Sequence, residues 1–182
     1  LSGLRVAVFV VRSVVEGMRY DTPRIVVQAG RAFDLIFDNP DVMPHNLVVV
    51  KPGAREKIGQ ETAQLAPDHT DRQGRAWVSE STDIIAATKL IEPGRSETLR
   101  LAGNAIRTEG TYEYVCTFPG HWVLMYGQLV VTKNVTAYLK AAGGPCADEA
   151  KCERYGREAL DHFAWLKAQG VPYRGNYLPG KH

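Results

Sequence analysis

A chain of 182 residues, 45% hydrophobic and 23% charged, holds enough apolar material for one ordinary domain and an appendage. No stretch approaches the ~20 consecutive apolar residues that a membrane span needs. The formal charge of +2 divides into zero over residues 1–138, where each sign occurs fifteen times, and +2 over residues 139–182. Neither part carries a basic stripe, which excludes a nucleic-acid footprint.

Leu4–Ser13 reads as a first strand; the apolar run to Val15 is broken by Arg12, and strand alternation explains it better than a signal segment. The chain starts at Leu1 rather than Met, as expected of a mature form or an excised domain from which a secretory signal is missing. Arg24–Gln28 and Ala32–Phe37 read as strands around a turn at Ala29-Gly30. Asn39-Pro40-Asp41 is a turn signal that leads into Met43-Pro44-His45-Asn46 and then the strand Leu47–Val50. Lys51–Ser81 is long and polar, with a short helix expected over Glu56–Leu65. Ile84–Leu90 and Ser96–Leu101 read as strands joined by the turn Glu92-Pro93-Gly94-Arg95.

Thr111–Cys116 alternates as a strand does, which puts Tyr112, Tyr114 and Cys116 on one face. Phe118-Pro119-Gly120 turns the chain, and Gly127–Thr132 returns as the next strand. Short alternating strands at this spacing predict an all-β sandwich. Gly143-Gly144-Pro145 marks a boundary, so the expected organisation is a sandwich domain over 1–138 and an extension over 139–182. Within the extension, Asp148–Gln169 reads as a helix with Tyr155, Ala159, Phe163 and Leu166 near one face. It serves either to cover apolar surface of the sandwich or as a docking or dimerisation element. Without a Cys-x-x-Cys-His run the extension is not a c-type haem module. Cys146 and Cys152 are placed to form a disulfide, which fits an oxidising compartment. The sequon Asn134-Val135-Thr136 is short enough to arise by chance.

The chemistry concentrates in Cys116-Thr-Phe-Pro-Gly-His-Trp-Val-Leu-Met125. His121 follows Cys116 by five residues, and Met125 follows His121 by four. One thiolate, two imidazoles and a weak thioether are the ligands of a blue-copper electron-transfer centre, and His45 supplies the second imidazole. Soft sulfur suits Cu(I) and imidazole suits both oxidation states, so neither state has to leave the geometry. Pro119 has no N–H to donate to the nearby sulfur, which limits how far hydrogen bonds draw charge from it. Taken singly, each donor has an ordinary reading: a buried small hydrophobe, a hydrogen-bonded imidazole, a core methionine. The four together point to a metal. His69, His162 and His182 lie in polar or tail contexts and receive no role.

At these residues the chain resembles the azurin-like branch of the cupredoxins, the plastocyanin/azurin family of type 1 blue copper proteins. The ligand loop Cys116–Met125, the stretch Met43-x-His45-Asn46 and Ile85-Ala86-Ala87-Thr88-Lys89-Leu90-Ile91 carry the likeness, which extends over about residues 4–133. It implies a Greek-key β-sandwich with a helical flap and with one copper ion near one end, held by His45, Cys116, His121 and Met125. Pro44 stands where the family has a glycine whose carbonyl is a distant fifth contact; proline keeps the carbonyl and fixes φ. The resemblance further implies backbone N–H groups of Asn46 and Phe118 near the thiolate, with the Asn46 side chain tying the two ligand loops together. Redox partner proteins would dock on an apolar patch of Met43, Pro44, Phe118, Pro119 and Trp122, at the His121 edge. In one departure, the N-terminal disulfide common in the family has no counterpart, since no cysteine precedes Cys116.

The expected function is therefore one-electron transfer by a copper carrier, or by a relay domain of a larger redox protein, in a periplasmic or other extracytoplasmic setting. Storage or delivery of copper without redox turnover is the alternative. An enzyme is not expected, because no second cluster of histidines accompanies the first, and a dinuclear centre would need another cysteine in the ligand loop.

Overall fold

The heptapeptide Phe33–Asn39 alternates buried and half-buried positions, so that Phe33, Leu35, Phe37 and Asn39 all point inward. That period of two builds the protein. The computed structural model describes residues 6–141. Eight strands form two sheets: β1 (Ala7–Arg12), β2 (Arg24–Gln28), β3 (Phe33–Asn39), β4 (Val48–Val50), β5 (Ile84–Ala87), β6 (Arg95–Leu101), β7 (Gly110–Val115) and β8 (Tyr126–Thr132). One sheet has the order β1-β3-β6 and the other β2-β8-β7-β4-β5.

β1 runs parallel to β3 and β2 parallel to β8, while the remaining pairs are antiparallel. The two short connections read as turns do not close hairpins. β2 and β3 lie in different sheets, as do β5 and β6, so each connection carries the chain across the sandwich. By contrast β7 and β8 pair directly, and the Cys116–Met125 loop is their connection.

Between the sheets, Val11, Ile25, Leu35, Phe37, Leu47, Val49, Tyr114, Cys116, Met125 and Leu129 are among the residues of one core. All three residues of β4 are buried because both faces of that strand are covered. Val49 belongs to the inter-sheet core, and Val48 and Val50 to a second cluster with Ile58, Val78, Ala87 and Val115 on the outer face. The cover over that face is helix α1 (Arg55–Ala63), one residue displaced from the expected start. Nine residues make too short a helix to persist alone; packing of Ile58 into the second cluster holds it in place.

A second helix, α2 (Val135–Ala141), overlaps the sequon and spans the boundary expected at 138/139. Its first turn is tied by Asn134, whose side-chain oxygen accepts the Ala137 N–H at 2.9 Å. The helix expected over 148–169 and the Cys146–Cys152 bridge lie outside the described residues. Among the described residues no helix is long and apolar enough to cross a membrane.

Candidate metal centre

Residues 39–45 and 116–125 meet at one end of the sandwich. Asn39 organises the first loop: its buried amide donates to the carbonyls of Met43 and Ile91, both at 2.8 Å. His45 exchanges two backbone hydrogen bonds with Ile91, which fixes its Cα against the connection between β5 and β6. In the second loop the Cys116 N–H donates to the Met125 carbonyl at 2.9 Å, and the Met125 N–H donates to the His121 carbonyl at 2.8 Å. A single 3-10 turn, His121–Val123, follows Gly120, whose φ of 81° lies in the left-handed region that glycine enters without strain. The ligand loop is therefore tighter than a plain three-residue turn.

These two loops bring His45, Cys116 and His121 together, 1%, 0% and 3% exposed. The Nδ1 atoms of the two imidazoles face each other at 3.1 Å, and the Cys116 Sγ lies 3.7 Å from each. A triangle with those sides has its centre about 2.0 Å from every corner, which is the bond length of a first-row metal to imidazole and close to that for thiolate. Two nitrogens and one soft sulfur aimed at a common point fit copper. Met125 is fully buried in the same core and bracketed by the hydrogen bonds of the loop.

The protonation tendencies agree with that use. Burial pushes the Cys116 thiol up to about 12, opposed by the N–H groups of Asn46 and Phe118, so that only a bound cation makes the thiolate the stable form here. Desolvation, and secondarily the neighbouring His45, hold His121 below the ordinary imidazole value, favouring the neutral ring that a metal requires.

Residues 7–132 match the family described as "copper binding proteins, plastocyanin/azurin family". The chain belongs to the plastocyanin/azurin family. The match covers well over half of the chain, and copper is the family's cofactor. Auracyanin-A of Chloroflexus aurantiacus is 32% identical over 117 residues, which are 64% of this chain and 68% of that protein. Azurin-2 of Alcaligenes xylosoxydans xylosoxydans is 34% identical over 89 residues, 48% of this chain and 64% of its own length. The solved structure of a reduced auracyanin from Roseiflexus castenholzii superposes with a TM-score of 0.60 at 30% identity, over 71% of this chain and 99% of that one. The two-sheet architecture is thus the cupredoxin sandwich.

Within this cupredoxin site, the Asn46 side chain joins the two loops through Thr117. Its Nδ2 donates to the Thr117 hydroxyl at 2.9 Å, and its Oδ1 accepts the Thr117 N–H at 2.7 Å. The Asn46 carbonyl in turn accepts the Tyr20 hydroxyl at 2.6 Å. Asn46→Ala leaves a buried N–H and a buried hydroxyl without this partner, so the protein should lose about 1–3 kcal/mol of stability. Denaturant unfolding of the metal-free protein checks it; an unchanged midpoint would show the tie to be dispensable.

The residues of the expected docking patch separate in the structure. Met43 and Pro119 are exposed, whereas Pro44, Phe118 and Trp122 are half-buried. Trp122 turns away from the end of the sandwich onto α1, where its indole lies so close to Gly59 that a Cβ there would overlap it. Arg55 of α1 reinforces that contact: it donates to the Trp122 carbonyl at 3.2 Å, pairs with Glu113 at 3.0 Å and lies 3.8 Å over the Tyr126 ring. Phe118 packs its ring on His121, with centroids 4.9 Å apart, and meets Trp77 edge-on at 6.1 Å. Val42, Val123 and Leu124, more than half exposed, add apolar surface beyond the patch read from the sequence.

Two further residues of the site carry no signal in the sequence. Trp77 adopts a left-handed φ of 59° and its carbonyl accepts the Thr117 hydroxyl, a strained backbone held against the ligand loop. Asp41, 4% exposed, places its Oδ2 2.7 Å from His45 Nε2. Burial alone would raise the Asp41 carboxyl, but the Glu16 N–H, the His45 side chain and the Val42 N–H together hold it below the usual carboxylate value. An aspartate followed by a histidine four residues later inside a loop carries no such signal, because loop spacing does not fix direction.

Proposed function

We propose that the chain transfers single electrons through one type 1 copper ion held by His45, Cys116, His121 and Met125, as a carrier or as a relay domain of a larger redox protein. The observation that carries this reading is the buried triangle of two imidazole nitrogens and one sulfur, built from strands and short tight turns. Copper supplies the one-electron cycle between Cu(I) and Cu(II). The protein's part is to hold three donors in a geometry that both states accept, to exclude water, and to keep the ligands still.

Donors so deeply buried leave no ligand position open to solvent, which supports transfer rather than turnover of a bound substrate. The Pro44 carbonyl, next to His45 in the chain, would be the distant fifth contact. Electrons leave by the His121 edge, which is 3% exposed. Met43 and Pro119, joined by the exposed Val42, Val123 and Leu124, form an apolar rim there suited to brief encounters with donor and acceptor redox proteins. Family membership supports an extracytoplasmic setting.

A visible and EPR spectrum after one equivalent of Cu(II) tests the assignment. The expected result is an intense thiolate-to-copper band toward the red with narrow copper hyperfine splitting. A pale, ordinary cupric spectrum would exclude Cys116 as a ligand and favour storage or delivery. His121→Gly should open a coordination position, so that added imidazole or chloride changes the colour. Unchanged colour and electron-transfer rate in that variant would remove His121 from the ligand set.

A further inference from the structure

We propose that Asp41 is a positioning residue of the metal centre, one that aims His45 and lowers the reduction potential through it. The inference rests on the copper reading above and adds a residue to it.

His45 presents Nδ1 to Cys116 and His121, so its Nε2 is the outward nitrogen, and that nitrogen meets a carboxylate at 2.7 Å. A ring that binds metal through Nδ1 carries its proton on Nε2 and donates it to Asp41. The other carboxylate oxygen is fully engaged as well: Oδ1 accepts the N–H of Glu16 and of Val42, at 2.9 and 2.8 Å. Three donors converge on this group, the arrangement of a carboxylate rather than a carboxylic acid. The Asp41 N–H lies 3.3 Å from the Ser13 hydroxyl and 3.2 Å from the Asn39 side-chain oxygen, which anchors the residue between two loops. Glu16 delivers its N–H from a left-handed φ of 54°, backbone strain spent on this one carboxylate.

A purely structural bridge between residues 16 and 42 would need only Oδ1. The second oxygen, turned onto the ligand imidazole inside a site sheltered from water, acts on the metal. Negative charge one ring away makes the imidazole a stronger donor and stabilises the more positive Cu(II) state over Cu(I). It also restrains the ring from rotating when the metal changes charge.

The test measures the reduction potential of the copper-loaded full chain, with the visible band as indicator, for the parent, Asp41→Asn, Asp41→Ser and Asp38→Asn. Asp38 is half-exposed and paired with Arg12 at 3.1 Å, so its neutralisation removes the same charge from the surface. Both Asp41 variants should shift the Cu(II)/Cu(I) equilibrium toward the reduced form by tenfold or more, ~59 mV for one electron, and weaken Cu(II) binding by about 10-fold or more. Asp38→Asn should move the equilibrium less than about twofold. If whichever Asp41 variant folds keeps a blue band and lies within twofold of the parent, the inference is overturned. A parent protein with no blue band would overturn the copper reading itself, an outcome distinguishable from the first.

Discussion

Cys116→Ser should erase the intense visible band and most of the stability that copper confers, while leaving the metal-free protein nearly intact. Serine is close to cysteine in shape, and its hydroxyl would find the two imidazole nitrogens that now lie 3.7 Å from the sulfur. The metal-free variant should therefore melt within about 1 kcal/mol of the parent. The loaded protein behaves differently. Copper at a thousandfold above its dissociation constant adds about 4 kcal/mol to the parent, and for a chain of this length that corresponds to a rise of roughly 8–16 °C. Serine offers a hard, protonated oxygen where a soft anion is needed, so this rise should shrink to a small fraction. Paired melts with and without copper, alongside a visible spectrum, decide the matter. A variant that keeps either the band or the full copper-dependent rise would exclude Cys116 as the thiolate ligand.

Gly127→Ala should be among the most damaging single changes in the sandwich that touch no ligand. Gly127 lies directly across from Tyr114 in the β7–β8 ladder, and a Cβ on it would overlap the tyrosine ring. Tyr114 cannot yield cheaply. It is fully buried, its ring centroid is 5.5 Å from that of Tyr20, and its hydroxyl is bound by the Thr22 carbonyl. Replacing a strand glycine by alanine gains about 0.5–1 kcal/mol in backbone entropy. Against this stand an overpacking cost of about 1–3 kcal/mol and about 1 kcal/mol for the strained or broken tyrosine hydrogen bond. A net loss of about 1–3.5 kcal/mol follows, a fall of roughly 2–14 °C in melting temperature. Displacement of Tyr114 reaches the metal end too, since Cys116 lies two residues further along the same buried face. A thermal melt checks the first effect and the copper EPR parameters the second. Melting at or above the parent temperature would show that the ring is not seated on Gly127.

The sandwich class, all eight strands to within three residues, the flap helix and the ligand loop are legible because each is a local pattern. Phe33–Asn39 alternates with a period of two, and three candidate donors fall within ten residues of one hairpin connection. The strand expected over Ile84–Leu90 ends at Ala87 because Thr88 leaves the ladder: its hydroxyl accepts the Leu47 N–H and its own N–H donates to the Leu47 carbonyl, a connection rather than a continued strand. Helix α2 leaves no signal in the sequence because only seven residues carry it, with none buried to mark a face.

Chain chemistry by itself determined which donors exist and that they suit copper: a thiolate, two imidazoles and a thioether have that preference wherever they are assembled. Only the tertiary structure decided how they meet. His45 and His121 are 76 positions apart, and their 3.1 Å approach depends on the pairing of β4 with β7, which sets Val48 against Val115 and which no turn sequence announces. The same folding turns Trp122 under α1, bends Trp77 into a left-handed conformation and points a buried carboxylate at His45. Directions of side chains in loops are set by buried hydrogen bonds made across long separations, and a linear pattern holds no record of them.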